Sequence, residues 1–143
     1  MMLFTQTRGL PVITADAAEP LGRVESLTID AHTASIACLR LSGAPKHAAV
    51  IAWHAVEAVG RDAVIVRSRA AADPGQGGLP THHEALGHRV LTELGTEHGT
   101  VKDVAFDHTS GHVHTLYTAL GEISGDRLLG LGSYAVVVRA ETA

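Results

Sequence analysis

The chain writes the same strand twice. Gly22-Arg23-Val24-Glu25-Ser26-Leu27-Thr28-Ile29-Asp30 opens on Gly, closes on Asp and carries apolar Val24, Leu27 and Ile29 between polar neighbours. Gly99-Thr100-Val101-Lys102-Asp103-Val104-Ala105-Phe106-Asp107 has the same layout 77 residues later. The offset extends without a gap, placing Ile13 on Val90, Ile36 on Val113 and Leu39 on Leu116. Beyond the third strand it falls to 72, with Ile51 on Ile123 and Gly60 on Gly132, so the second copy lacks five residues in a loop. Self-similarity at a fixed offset marks two copies of one structural unit.

Each copy reads as β. In the first, Gly9–Thr14 is a short strand, with Pro11 suited to a strand start or an edge. Gly22–Asp30 is a long strand whose Val24 and Leu27 break strict alternation, which predicts a bulge or bend near Glu25 and Ser26. Asp30–Ala34 is a turn and Ser35–Leu41 a third strand, with Ile36, Cys38 and Arg40 on one face and Ala37, Leu39 and Leu41 on the other. Ala48–Ala52 is a fourth strand. Trp53, Val56 and Val59 recur at three-residue spacing and predict one helical turn, ended by Gly60 before a closing strand at Ala63–Val66. The fold class is all-β: two small barrels in tandem, each of about five to six strands with one short helical turn. Residues 1–69 form the first unit, 70–84 a Pro- and Gly-rich linker, and 85–143 the second unit.

Composition narrows the function classes. With 45% hydrophobic residues in 143 the chain folds, but only 3% are aromatic, so the core is built from Val, Ile, Leu and Ala. A unit of this size has a marginal core alone and gains by packing on its neighbour or on another chain. The formal charge of −4 is uneven: residues 1–72 hold seven Lys/Arg against six Asp/Glu, and 73–143 hold four against nine. With no Lys/Arg cluster, nucleic-acid binding is not expected. A single cysteine, Cys38, excludes an intramolecular disulfide and reads as a small core hydrophobe. The longest weakly polar run, Ala48–Val56, is too short to span a bilayer, and the N-terminus lacks a signal-peptide apolar region. No membrane insertion and a cytoplasmic location are the expectation.

The repeated pattern resembles the PRC-barrel family: a Gly-x-Val-x-(Asp/Glu)-hydrophobic-x-hydrophobic-Asp strand, a turn that often contains Gly, a hydrophobic strand, a short strand with a turn, and a Val-rich closing strand. Gly22–Asp30 fits it with one shift. Gly99–Asp107, followed by Ser110-Gly111-His112-Val113, fits it closely. The resemblance covers residues 9–67 and 86–139 and implies a tandem of two such units. The family includes the cytoplasmic domain of the photosynthetic reaction-centre H subunit, the C-terminal domain of a ribosome-maturation factor, and archaeal cell-division adaptors. It implies a non-enzymatic adaptor or scaffold that binds a protein partner and self-associates, as in a homodimer. Neither the membrane anchor of the first nor the RNA-associated domain of the second is expected here, so neither specific role transfers.

Individual residues carry two readings each. Gly22, Asp30, Gly99 and Asp107 stand at equivalent positions and read as bend and turn formers rather than a catalytic pair. Leu39, Leu41 and Leu116 lie on apolar strand faces and are the candidate inter-unit or partner surface. Trp53, whose place in the second copy is taken by Gly125, is either a core plug or an interface anchor. Seven of the ten histidines fall in the second half. His112 and His114, two apart on a strand, share a face and are weak metal candidates, but no third ligand follows at a fixed spacing. No cofactor is expected. The alternative function is a metal- or small-ligand-binding sensor using these histidines, which also titrate near neutral pH. Asp107, His108 and Ser110 crowd into one turn, too local to orient a catalytic triad.

Overall fold

A computed structural model describes residues 1–44, 50–69 and 84–140. It is mostly β, in two sheets. The chain opens with β1 (Met2–Leu3) and a single helical turn, α1 (Phe4–Thr7). The first sheet comprises β2 (Pro11–Thr14), β3 (Pro20–Asp30), β4 (Ser35–Ser42), β5 (Val50–Ala52), β6 (Val56–Val59) and β7 (Val64–Val66). The second comprises β8 (Arg89–Thr92), β9 (Glu97–Phe106), β10 (Val113–Thr118), β11 (Gly121–Ser124), β12 (Leu128–Leu131) and β13 (Val136–Val138). The linker expected at 70–84 lies outside the described residues except for Glu84.

The two sheets have one topology. The order is β5-β4-β3-β2-β7-β6 in the first and β11-β10-β9-β8-β13-β12 in the second, to which β1 adds a short extra strand. Among the described residues neither path closes its two edges into a barrel. Register matches as well as order. Leu27 faces Leu39 as Val104 faces Leu116, and Leu39 faces Ile51 as Leu116 faces Ile123. The single parallel pairing pairs Val12 with Val64 and Val90 with Val136.

That last pair corrects the alignment by one residue: Val90 stands where Val12 does, not Ile13. The turn after the first strand explains it. Thr14 N–H donates to the Glu19 carbonyl, whereas Thr92 N–H donates to the Thr96 carbonyl, so the second turn is one residue shorter. Val12 and Val90 are both fully buried, and it is this pairing that puts equal residues in equal places.

The expected irregularity in the long strand is a register shift between Val24 and Ser26. A second shift, between Thr28 and Ile29 opposite Cys38 and Ile36, leaves Ala37 unpaired and moves Ile36 into one core with Leu39 and Leu41, against the expected alternation. The helical turn expected over Trp53–Val59 is shorter: Trp53–Ala55 is a 3₁₀ turn, and Val56–Val59 is strand. β-Branched Val56 and Val59 pair with Val66 and Val64, and this ladder outweighs the three-residue spacing. One apolar cluster runs through both sheets, and its largest fully buried side chains include Phe4, Phe106, Leu27, Leu39, Ile51, Leu116 and Ile123. Fully burying one such side chain is worth about 1.5–3 kcal/mol, so each sheet gains from its neighbour.

Candidate functional site: the junction between the sheets

The two sheets meet at matching hairpins. Ser35 and His112 form an isolated antiparallel bridge. Ile36 N–H donates to the Gly111 carbonyl at 2.8 Å, and Val113 N–H donates to the Ala34 carbonyl at 2.7 Å. Adding 77 to 34, 35 and 36 gives 111, 112 and 113, so exchanging the two copies turns one hydrogen bond into the other. The bridge therefore sits on an approximate two-fold axis.

Asp107 builds the hairpin on the second side. Its Oδ1 accepts from the Thr109 and Ser110 amides at 2.7 and 3.0 Å. Those amides, Ser110 first, hold its carboxyl below the ordinary 3.8, helped by His108 and His114. Asp30 serves the first hairpin less fully, accepting from His32 N–H at 2.9 Å. Gly22 lies where β3 passes β4: a Cβ there would stand 2.7 Å from the Ser42 carbonyl oxygen. Gly99 has more room, with a Cβ meeting nothing nearer than 3.5 Å.

Trp53 is the wedge of the junction. Its ring meets Phe106 of the second sheet edge-on, with centroids 6.2 Å apart and planes at 86°. Its indole also lies against Gly111, where a Cβ would stand 2.5 Å from Nε1 and 2.7 Å from Cε2. Trp53 is half-buried and joins the first sheet to the second within the chain. Gly125, its counterpart, is buried, and a Cβ there would run into the Val113 carbonyl.

The N-terminal segment is the second tie, and sequence reasoning missed it. Met2 and Leu3 pair with Phe106 and Ala105 of β9. Thr5 donates from N and Oγ1 to the Asp103 carboxylate at 3.1 and 2.6 Å, and Phe4 is fully buried. The only sequence signal was an apolar Met-Met-Leu-Phe start with no repeat partner in register.

Leu39, Leu41 and Leu116 are 1%, 3% and 0% exposed. Their side chains are enclosed within the chain, so they offer no surface to a second molecule. His112 and His114 do come together, with ring centroids 5.1 Å apart, although β10 is bulged at His114 and strict alternation is broken there. His112 Nε2 lies 3.9 Å from Asp126 Oδ1. Among the described residues no three potential ligands group in a way that would hold a metal ion. Cys38 is buried, and burial pushes its thiol up, opposed by a hydrogen bond with Thr28. It therefore stays protonated and unreactive.

The second sheet also carries an open apolar groove of about 500 Å³ beside Leu91, Leu131, Tyr134 and Val137. Tyr134 is 70% exposed, and Arg89 both stacks on its ring at 5.4 Å and donates to its hydroxyl at 2.9 Å.

Taken together these features define a mostly β protein with two sheets of one strand order joined at matching hairpins, and no described helix is long and apolar enough to cross a membrane. The family model of the PRC-barrel domain matches residues 1–72, half of the chain, and the protein belongs to that family. No curated protein matches the chain.

Proposed function

We propose that the chain is a tandem of two PRC-barrel units acting as a non-enzymatic scaffold that binds other proteins, in the cytoplasm, with self-association part of its behaviour. The observation that carries the reading is the reciprocal pair of hydrogen bonds at Ser35 and His112, repeated in sequence and symmetric in space. A pair of like units joined across such an axis has the form of a dimer of single units, and family membership of the first half favours a binding role over a reaction. The polar chemistry of the junction supports this, because the Asp30 and Asp107 carboxylates are engaged in shaping turns.

The test is affinity capture from native cells with the full chain, read by quantitative mass spectrometry and followed by binding of each purified candidate to the purified chain. A scaffold retains a small reproducible set that also binds in the purified pair. If nothing is retained above a tag-only control, or nothing retained binds directly, the reading fails.

A further inference from the structure

The junction is symmetric in its backbone and asymmetric in its side chains. Trp53 projects from the first unit onto Gly111 of the second. The equivalents of these two residues are Gly125 and Ala34. If two first units met across the same axis, each Trp53 would face an Ala34. The Ala34 backbone is left-handed, at φ 50°, like that of Gly111 at φ 81°, so its Cβ would occupy the place that lies 2.5 Å from the indole nitrogen. If two second units met, Gly125 would face Gly111, and the side of Phe106 now met by the indole would border a void. The N-terminal tie repeats the distinction, because Thr5 bonds Asp103 and the residue equivalent to Asp103 is Ser26.

We infer that Trp53, Gly111 and Ala34 are specificity determinants that make this surface one-way. A first unit pairs with a second unit and rejects its own kind, through a steric clash in one homotypic pair and a void in the other. The partner that the surface accepts in trans is accordingly the complementary unit of a second copy of this chain, in a reciprocal exchange that keeps every contact of the closed form. The inference rests on the tandem reading above and states how the self-association proposed there proceeds.

The bridge supplies the test. Ser35 and His112 are the non-hydrogen-bonded pair of an antiparallel bridge, for which Cα atoms lie about 4.5 Å apart, within disulfide range. Full-length Ser35→Cys, His112→Cys and the double variant are oxidised with glutathione disulfide and run on non-reducing gels, with the wild type controlling for buried Cys38. The double variant is expected to close within one chain and migrate as a monomer. The two single variants, unfolded in urea and refolded as a mixture at rising concentration, are expected to give at least ten-fold more covalent dimer than either alone. Adding Ala34→Gly to Ser35→Cys removes the clashing Cβ and should raise covalent dimer from that variant alone. Comparable dimer from a single variant and from the mixture overturns the one-way rule. A mixture that stays monomeric at every concentration, while the double variant closes, overturns exchange in trans. A double variant that does not close sinks the tandem pairing itself, a separate outcome.

Discussion

Gly111→Ala is the most informative single change at the junction. Two costs add. The backbone there is left-handed, at φ 81°, and an L side chain in that region costs about 1 kcal/mol. The new methyl would stand 2.5, 2.7 and 3.0 Å from three atoms of the Trp53 ring, which is rigid, so the indole must leave its seat. Losing a fully buried aromatic costs about 3–5 kcal/mol, and Trp53 is half-buried, so about 2 kcal/mol is assigned to this part. The sum is about 3 kcal/mol, or a melting temperature lower by roughly 6–12 °C for a chain of this size. In a Trp53→Ala background the ring is gone, and the same change should cost only the backbone part, about 1 kcal/mol. Urea melts followed by circular dichroism on the wild type, both single variants and the double variant give the coupling directly. A coupling near 2 kcal/mol is expected. Additivity to within about 0.5 kcal/mol would show that indole and glycine do not share a seat, and would refute the reasoning.

Other consequences are simpler. Gly22→Ala places a methyl 2.7 Å from a backbone oxygen that cannot rotate away and should cost more than 2 kcal/mol, whereas Gly99→Ala should cost only about 1 kcal/mol, its backbone term; equal losses in denaturant melts would contradict this ranking. Asp103→Ala removes both acceptors of Thr5, so hydrogen exchange at the Leu3 and Thr5 amides should quicken with a global loss of about 1 kcal/mol; unchanged exchange would show that the β1 pairing and Phe4 hold the segment without Asp103. Asp107 has a folded-state pKa below its ordinary 3.8, so its contribution is present above that value and is lost as pH falls through the folded one. Asp107→Asn should therefore flatten the acid end of a stability–pH curve below about pH 4, and a curve of unchanged shape would remove the carboxylate from the account.

Much of the fold was legible because alternation and turn residues are local. Gly99–Asp107 declared itself a strand, and Val24 with Leu27 announced the bulge. The three-residue spacing over Trp53–Val59 points to a longer helical turn than forms, because Val56 and Val59 are also β-branched partners for an antiparallel neighbour, a fact that lies in Val64 and Val66. The first-strand alignment slipped by one because apolar Val12 and Ile13 are adjacent, and only the pairing with Val64 says which is which. The junction was least legible. Trp53 was distinctive, but its seat is the absence of a side chain at Gly111, far along the sequence. The tie from Thr5 to Asp103 likewise joins residues whose partnership no local pattern encodes.

That tie has a consequence for how the molecule is made. Thr5 and Asp103 are 98 residues apart, so the segment leaves the ribosome well before the strand that receives it has been translated. At about 5–20 residues per second, the wait is on the order of 5–20 seconds. During that interval Met2, Leu3 and Phe4 are apolar and without β9, while the first sheet, whose pairings lie within residues 11–66, already has its strand partners. Residues 2–5 are thus synthesised long before β9, the strand that receives them. A nascent chain carries this apolar segment unpaired, available to whatever shields emerging polypeptides until β9 arrives.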